Sequence, residues 1–176
     1  MFRQVHSESE LYEVALRALM RRAHSVHEMK KLLARRTRND LLVQVVMARL
    51  RENGQLDDAR YAKQFVRQRT EIRRQGAFRI ARDLRARGVP DRHIDAALRS
   101  AAADNAGTPA DEESLIRHRL ERKLKLLGGE VDDKKIASLY RSLLRAGFSA
   151  GAVRRQLKSL SSADPDVPAS DPEETC

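Results

Sequence analysis

The sequence predicts an all-α protein built as an elongated, curved array of three tandem three-helix modules, with no β-sheet. Apolar residues recur every three or four positions, and no stretch keeps the strict alternation that is typical of a strand. A helix–turn–helix pattern also recurs three times along the chain. With no Trp, four Phe and three Tyr among 176 residues, the chain suits thin cores between helices better than a wide sandwich or barrel.

The first predicted module covers residues 1–56. Its three apolar helix faces are marked by Tyr12, Ala15, Leu16 and Leu19, by Met29, Leu32 and Leu33, and by Leu42, Val46 and Leu50. Ser25 and Glu28 have the spacing of a capping box, so the second helix should begin after Ser25. Asn53-Gly54 should end the third helix.

The second predicted module covers residues 57–106. Its apolar faces are marked by Ala62, Phe65 and Val66, by Ile80, Ala81 and Leu84, and by Ile94, Ala97 and Leu98. Either Asp57 or Asp58 should cap the fourth helix, because a carboxylate accepts hydrogen bonds from the free N–H groups of a first turn. Gly88 should end the fifth helix, and Pro90-Asp91 should begin the sixth.

The third predicted module covers residues 107–160, after a loop from Asp104 to Pro109. Its apolar faces are marked by Ile116, Leu120 and Leu124, by Ile136, Leu139, Tyr140 and Leu143, and by Val153, Leu157 and Leu160. Residues 161–176 hold five acids, no base and three of the five prolines. That composition predicts a disordered acidic tail, because it offers too little apolar surface to bury.

Three segments carry the internal repeat. They run from Leu33 to Thr37, from Leu84 to Gly88 and from Leu143 to Gly147, and each is followed by two apolar residues at the same spacing. A helical unit of about 50 residues buries little surface alone, so adjacent units must stack. Chance similarity between Leu-rich helices is the alternative explanation.

The charge of the chain favours a polyanionic partner. The formal net charge is +10, and because residues 161–176 contribute five negative charges, the rest of the chain holds +15. The stretch from Arg60 to Arg92 has eleven basic residues against three acids. The planar guanidinium fork suits phosphate or carboxylate, whereas a solvated basic face is the alternative. The predicted partner- or DNA-binding residues are Arg60, Arg67, Arg69, Arg73, Arg74, Arg79, Arg82, Arg85 and Arg87.

Three of these arginines should form a row on the fifth helix. Arg79, Arg82 and Arg85 are spaced three apart, and Ile80 and Leu84 lie on the opposite side of the helix. The arginines should therefore face outward while the apolar pair faces the core.

No pattern indicates an enzyme. His24 and His27 lie three residues apart before Glu28, but this order is not that of a zinc-binding helix, so solvated or helix-start histidines are preferred. Asp57-Asp58 and Asp132-Asp133 directly precede helices, where acids serve as caps. We therefore expect no catalytic residue, no cofactor and no metal.

The cellular setting is expected to be the cytoplasm. Cys176 is the single cysteine, which excludes an internal disulfide, and the sequence contains no run of about 18 apolar residues that could cross a membrane.

A DNA-reading helix–turn–helix over residues 77–101 is disfavoured, because its second helix is rich in Ala and carries Asp91 and Asp95.

The centre of the chain resembles a known family. The segment Gly54-Gln55-Leu56-Asp57-Asp58-Ala59-Arg60-Tyr61-Ala62, the turn Gly76-Ala77-Phe78-Arg79-Ile80 and the helix end Leu84-Arg85-Ala86-Arg87-Gly88 are similar to the central module of RecX proteins. Ala77 stands where the family commonly has proline, and Thr37 stands where the first module usually has glycine.

The resemblance implies a regulator of the bacterial recombinase RecA. Such a protein would lie in the groove of the RecA–DNA filament as a monomer, contact single- and double-stranded DNA, and inhibit ATPase, filament growth and strand exchange. The alternative is a general nucleic-acid-binding helical protein without a dedicated protein partner. A further hypothesis is that the acidic tail masks the basic body by mimicking DNA.

Overall fold

A computed structural model describes residues 5–108, 111–127 and 132–161. These residues form nine α-helices and no strand, which confirms the all-α prediction. The helices are α1 (Glu8–Arg21), α2 (Val26–Ala34), α3 (Asp40–Glu52), α4 (Asp58–Glu71), α5 (Ala77–Arg85), α6 (Asp91–Asn105), α7 (Glu112–Leu127), α8 (Asp133–Arg145) and α9 (Ala150–Ser161). Along the described ranges, none of them is long and apolar enough to span a bilayer.

The buried apolar residues form three separate cores, each drawn from three consecutive helices. Module 1 (α1–α3) is packed around Leu11, Met29, Leu33, Val46 and Leu50. Module 2 (α4–α6) is packed around Phe65, Val66, Ile80, Leu84 and Ile94. Module 3 (α7–α9) is packed around Ile116, Leu139, Leu143, Phe148 and Val153. Each module therefore buries its own thin core, as the scarcity of aromatic residues predicts.

Side-chain caps fix where several helices begin. The capping box of α2 is confirmed, because Ser25 Oγ accepts from the Glu28 N–H at 3.1 Å and Glu28 Oε2 accepts from the Ser25 N–H at 3.3 Å. Asp57 caps α4, accepting from the N–H groups of Ala59 and Arg60. Asp132 caps α8. The carboxylates of Asp57 and Asp132 thus satisfy helix ends.

The C-terminal part of α6 differs from the sequence prediction. Asp104 and Asn105 were expected in a loop, but α6 continues to Asn105. The run Ala101–Ala103 explains the extension, because alanine has the highest helix propensity. Pro109, the side chain of Leu160 and the tail after Ser161 lie outside the described residues.

Adjacent modules meet through two joints of the same design. At the first joint, Ser25 Oγ donates to the Arg87 carbonyl at 2.5 Å. At the second, the Gly76 N–H donates to the Ala146 carbonyl at 3.0 Å. In both cases the start of a module's second helix contacts the turn after the second helix of the next module. The repeat in the sequence therefore corresponds to a repeated joint.

The glycines of these turns are required by the joints. Gly88 and Gly147 have φ values of +72° and +92°. A Cβ at Gly88 would lie 2.5 Å from His27 of module 1, and a Cβ at Gly147 would overlap the backbone of Arg79. A side chain at either position would therefore be strained and would also push the adjacent module away.

Thr37 occupies the corresponding turn in module 1. Its backbone does not have a positive φ, and the residue is buried. The Val5 N–H donates to the Arg36 carbonyl at 2.8 Å, the position that corresponds to Arg87 and Ala146 at the joints. The segment around Val5 thus contacts this turn, and the turn has no need of glycine.

Candidate functional site

Most of the predicted arginines already have a partner within the protein. Arg67 pairs with Glu71, Arg82 with Asp83, Arg85 with Asp91 and Arg87 with Glu28, at N–O distances of 3.1, 4.0, 2.6 and 2.7 Å. The Arg60 guanidinium donates to the Gly54 carbonyl. These contacts hold much of the positive charge of module 2 in local pairs.

Three predicted arginines differ, because within the described ranges they form neither an ion pair with an acid nor a side-chain hydrogen bond. Arg69 lies in the last turn of α4, Arg73 lies just beyond that helix, and Arg79 lies in the first turn of α5. The Nε atoms of Arg69 and Arg79 are buried without a hydrogen-bond partner. A buried donor without an acceptor is costly, so these two N–H groups lower the stability of the folded chain at this place.

Arg79 is not oriented as the sequence predicts. Ile80 and Leu84 are buried and Arg82 and Arg85 are exposed, in agreement with the predicted helix faces. Arg79 was expected to face outward with them, but it is half-buried against the second joint, where its backbone packs on Gly147. The joint brings it out of the solvated row and toward module 3.

Module 3 contributes two arginines that were absent from the predicted set. Arg119 and Arg122 lie on α7, and the Arg119 Nη1 donates to the Arg74 carbonyl at 3.2 Å. Their sequence signal is the basic density of α7, but residue spacing does not show which module they face. We call Arg69, Arg73, Arg79, Arg119 and Arg122 the arginine cluster.

Burial and neighbouring positive charges lower the pKa values of two cluster arginines, Arg69 and Arg119. Burial lowers the pKa of Arg69, and repulsion from Arg73, Arg87 and Arg79 lowers it further, against an opposing effect of Asp83. Burial likewise lowers the pKa of Arg119, and Arg122 and Arg79 add to the effect. Each shift means that the positively charged form is disfavoured, so an incoming anion would relieve the repulsion.

Arg74 joins the two sides of the cluster through its backbone. It has a φ of +48°, and the turn it forms closes α4 through a hydrogen bond from the Gln75 N–H to the Arg69 carbonyl at 3.1 Å. Its guanidinium contacts the imidazole of His118. A non-glycine residue with this φ costs about 1 kcal/mol or more. The backbone of Arg74 thus lies between α4 and α7, while the partner- or DNA-binding role of its exposed side chain stays a prediction.

An aromatic ring supports one edge of the cluster. The guanidinium carbon of Arg69 lies 4.8 Å from the centre of the Phe65 ring, and that of Arg87 lies 5.2 Å from it. The ring is itself stacked on Tyr61. Such cation–π contacts hold the guanidinium planes in place.

The two histidines near the first joint make contacts with neighbouring residues of the protein. His24 is buried, its Nδ1 lies 2.9 Å from the Arg22 carbonyl, and burial lowers its pKa. His27 is exposed and packs on Gly88. In the described ranges no three His, Cys, Asp or Glu side chains are grouped as metal ligands would be.

Comparison with known proteins agrees with the resemblance found in the sequence. Residues 57–98 match the model of the RecX second three-helix domain. A regulatory protein RecX of Halorhodospira halophila is 42% identical over 118 residues, covering 60% of this chain and 73% of that protein. Another, of Mycolicibacterium vanbaalenii, is 36% identical over 141 residues, covering 77% and 74%.

A solved structure shares the fold. The crystal structure of RecX from Lactobacillus salivarius superposes with a TM-score of 0.75 at 19% identity, covering 88% of this chain and 96% of that one. At this identity the likeness shows the three-module fold alone.

Proposed function

The chain belongs to the RecX family of regulatory proteins, and from that membership we propose that it regulates a RecA recombinase. It binds the RecA–DNA filament in its groove through the arginine cluster. One observation carries this proposal: Arg79 and Arg119 border the second joint from two modules, and no member of the arginine cluster forms an ion pair with a described acid, whereas Arg67, Arg82, Arg85 and Arg87 do.

The proposed contact is with DNA phosphates or with acidic side chains of the filament. Arginine forks bind both groups with two parallel hydrogen bonds, and the exposed side chains of Arg73 and Arg122 can supply such donors. The field of the basic body would steer the protein to a polyanion and weaken as salt rises. The other predicted arginines contribute to that field, and their pairs limit them to weaker contacts.

The expected effect is inhibition of RecA ATPase, filament growth and strand exchange. A protein that contacts both DNA and recombinase subunits in the groove would hinder the addition of subunits and the rearrangement of strands. The proposal includes a monomer acting in the cytoplasm, where RecA filaments form, and no catalytic step.

A second candidate function is general nucleic-acid binding without a protein partner. It is favoured by the guanidinium chemistry of the cluster, which suits any phosphate backbone. The cluster alone does not require a recombinase.

Binding to bare and RecA-coated DNA separates the two functions. We would measure the affinity of the chain for single-stranded DNA with and without a preassembled RecA–nucleotide filament, at an ionic strength of about 0.15 M. The regulator should bind the filament much more tightly than bare DNA and should lower RecA ATPase. Equal affinity for both, with unchanged ATPase, would overturn the regulator and leave the general binder.

A further inference from the structure

The acids around the arginine cluster are already committed to other groups. Glu71, Asp83 and Asp91 pair with Arg67, Arg82 and Arg85. Glu113 pairs with Arg155, and Glu112 accepts from the Ser149 N–H and hydroxyl at 2.7 and 2.9 Å. Among the described residues, Asp83 acts on Arg69 only as a partial counter-charge, and no acid forms an ion pair with the cluster.

The chain itself carries a matching anion. Residues 162–176 contain Asp164, Asp166, Asp171, Glu173 and Glu174, and no basic residue. We propose that this acidic segment binds the arginine cluster of its own chain and competes there with the external polyanion. The inference rests on the proposed function of the cluster and adds an intramolecular regulator to it.

The position of α9 allows the segment to reach the cluster. Ala150, where α9 begins, is three residues after Gly147, which contacts Arg79. A helix of 12 residues rises about 18 Å, so Ser161 lies about that far along the chain from the second joint. Asp171, Glu173 and Glu174 follow Ser161 by 10 to 13 residues. An extended chain of that length spans about 33 to 45 Å, which is more than enough to return.

The chemistry favours a reversible and salt-sensitive contact. An exposed carboxylate–arginine pair is weak because water and salt screen it, so one acid would not suffice. Five acids on one tether act together, because a covalent link gives them an effective concentration of about a millimolar. External DNA or filament, with its denser charge, would displace them when it is present at sufficient concentration.

The test neutralises the segment without shortening it. The variant carries Asp164→Asn, Asp166→Asn, Asp171→Asn, Glu173→Gln and Glu174→Gln, and its affinity for a single-stranded oligonucleotide and for a RecA filament is compared with that of the unmodified chain. At about 50 mM salt we expect a gain of roughly tenfold, shrinking toward none at about 300 mM as screening increases. No gain at low salt would overturn the inference.

A cycle of variants separates binding at the cluster from a general loss of negative charge. The same five changes are introduced together with Arg73→Gln and Arg79→Gln, and separately together with Arg17→Gln, which removes one charge on α1 from a pair with Glu13. The gain should largely disappear in the cluster background and persist in the Arg17 background. An equal gain in both backgrounds would show a general charge effect and overturn the inference.

The outcomes also separate this inference from the proposed function. If the neutralised variant and the unmodified chain bind the filament equally well, the acidic segment does not compete for the cluster. The proposed binding of the filament by the cluster is unaffected by that result. If neither binds the filament in preference to bare DNA, the regulator itself fails.

Discussion

At the scale of single residues, the important feature is a contrast between arginines that are close together in the sequence. Arg67 and Arg69 are two positions apart on α4, yet Arg67 pairs with Glu71 and Arg69 buries an unpartnered Nε against a cluster of like charges. Stability alone would favour neutralising Arg69. A loss of stability of this kind is common at functional sites, in keeping with the proposed binding role of the cluster.

Replacing two cluster arginines tests their role. Arg73→Gln with Arg79→Gln should weaken filament binding by about tenfold or more and flatten its salt dependence, because two phosphate or carboxylate contacts are lost. Fluorescence anisotropy with a labelled filament over a salt series measures both quantities.

The matched control for that pair is Arg17→Gln on α1, whose partner Glu13 lies four residues earlier. It should change the affinity less than about twofold, since a distant exposed charge adds only a screened field. Equal losses in the two variants, at unchanged circular dichroism, would contradict a dedicated cluster.

At the scale of helices and turns, the second joint decides whether the cluster exists. Arg79 and Arg119 come from different modules, and they are brought together because Gly76 and Gly147 allow two backbones to touch. The Phe78 N–H also donates to the Gly147 carbonyl at 3.0 Å. A site formed across a joint depends on the joint more than on either helix.

Gly147→Ala should therefore weaken filament binding strongly while helix content is retained. The new methyl group would overlap Arg79 and would require a side chain at a φ of +92°, which costs at least about 2 kcal/mol in total. Gly54→Ala is the control, because Gly54 also has a positive φ, +64°, but has open space around it. The Gly54→Ala variant should be less stable to thermal unfolding but should bind the filament normally in fluorescence anisotropy. Normal binding by the Gly147 variant would show that the joint does not support the site.

The helices and their caps can be predicted from the sequence, but the joints between modules cannot. The capping box at Ser25 and the buried faces of α5 follow from spacing within a few residues, and the structure has them as predicted. The contact between Gly76 and Gly147 joins residues 71 positions apart, and no local period reports it. For the same reason the sequence predicts an outward-facing Arg79 and does not predict that Arg119 and Arg122 belong to the cluster. Thr37 departs from the repeat in the sequence because the glycines of the other two turns are needed for contacts between modules.

At the scale of the whole molecule, the chain is a short array of three modules, and each module has its own hydrophobic core. Such arrays derive their stability from each unit and from contacts between nearest neighbours, so a local change should act locally. Module 1 has an adjacent module on one side and the segment around Val5 on the other, where the Val5 N–H donates to the Arg36 carbonyl. The segment thus supplies at this turn the hydrogen-bond donor that Ser25 and Gly76 supply at the two joints.

Val5→Pro tests both the contact of Val5 with the Arg36 carbonyl and the independence of the modules. Proline removes the N–H that bonds to Arg36, which should destabilise module 1 by about 1 kcal/mol, whereas Val5→Ala keeps that donor and loses only apolar contact. Hydrogen exchange should accelerate in α1–α3 of the proline variant and stay unchanged in α7–α9. Equal acceleration in all three modules would mean that the array unfolds as one cooperative unit. Filament binding should survive in either case, because the arginine cluster lies at the opposite joint, so the variant separates the stability of module 1 from the integrity of the site.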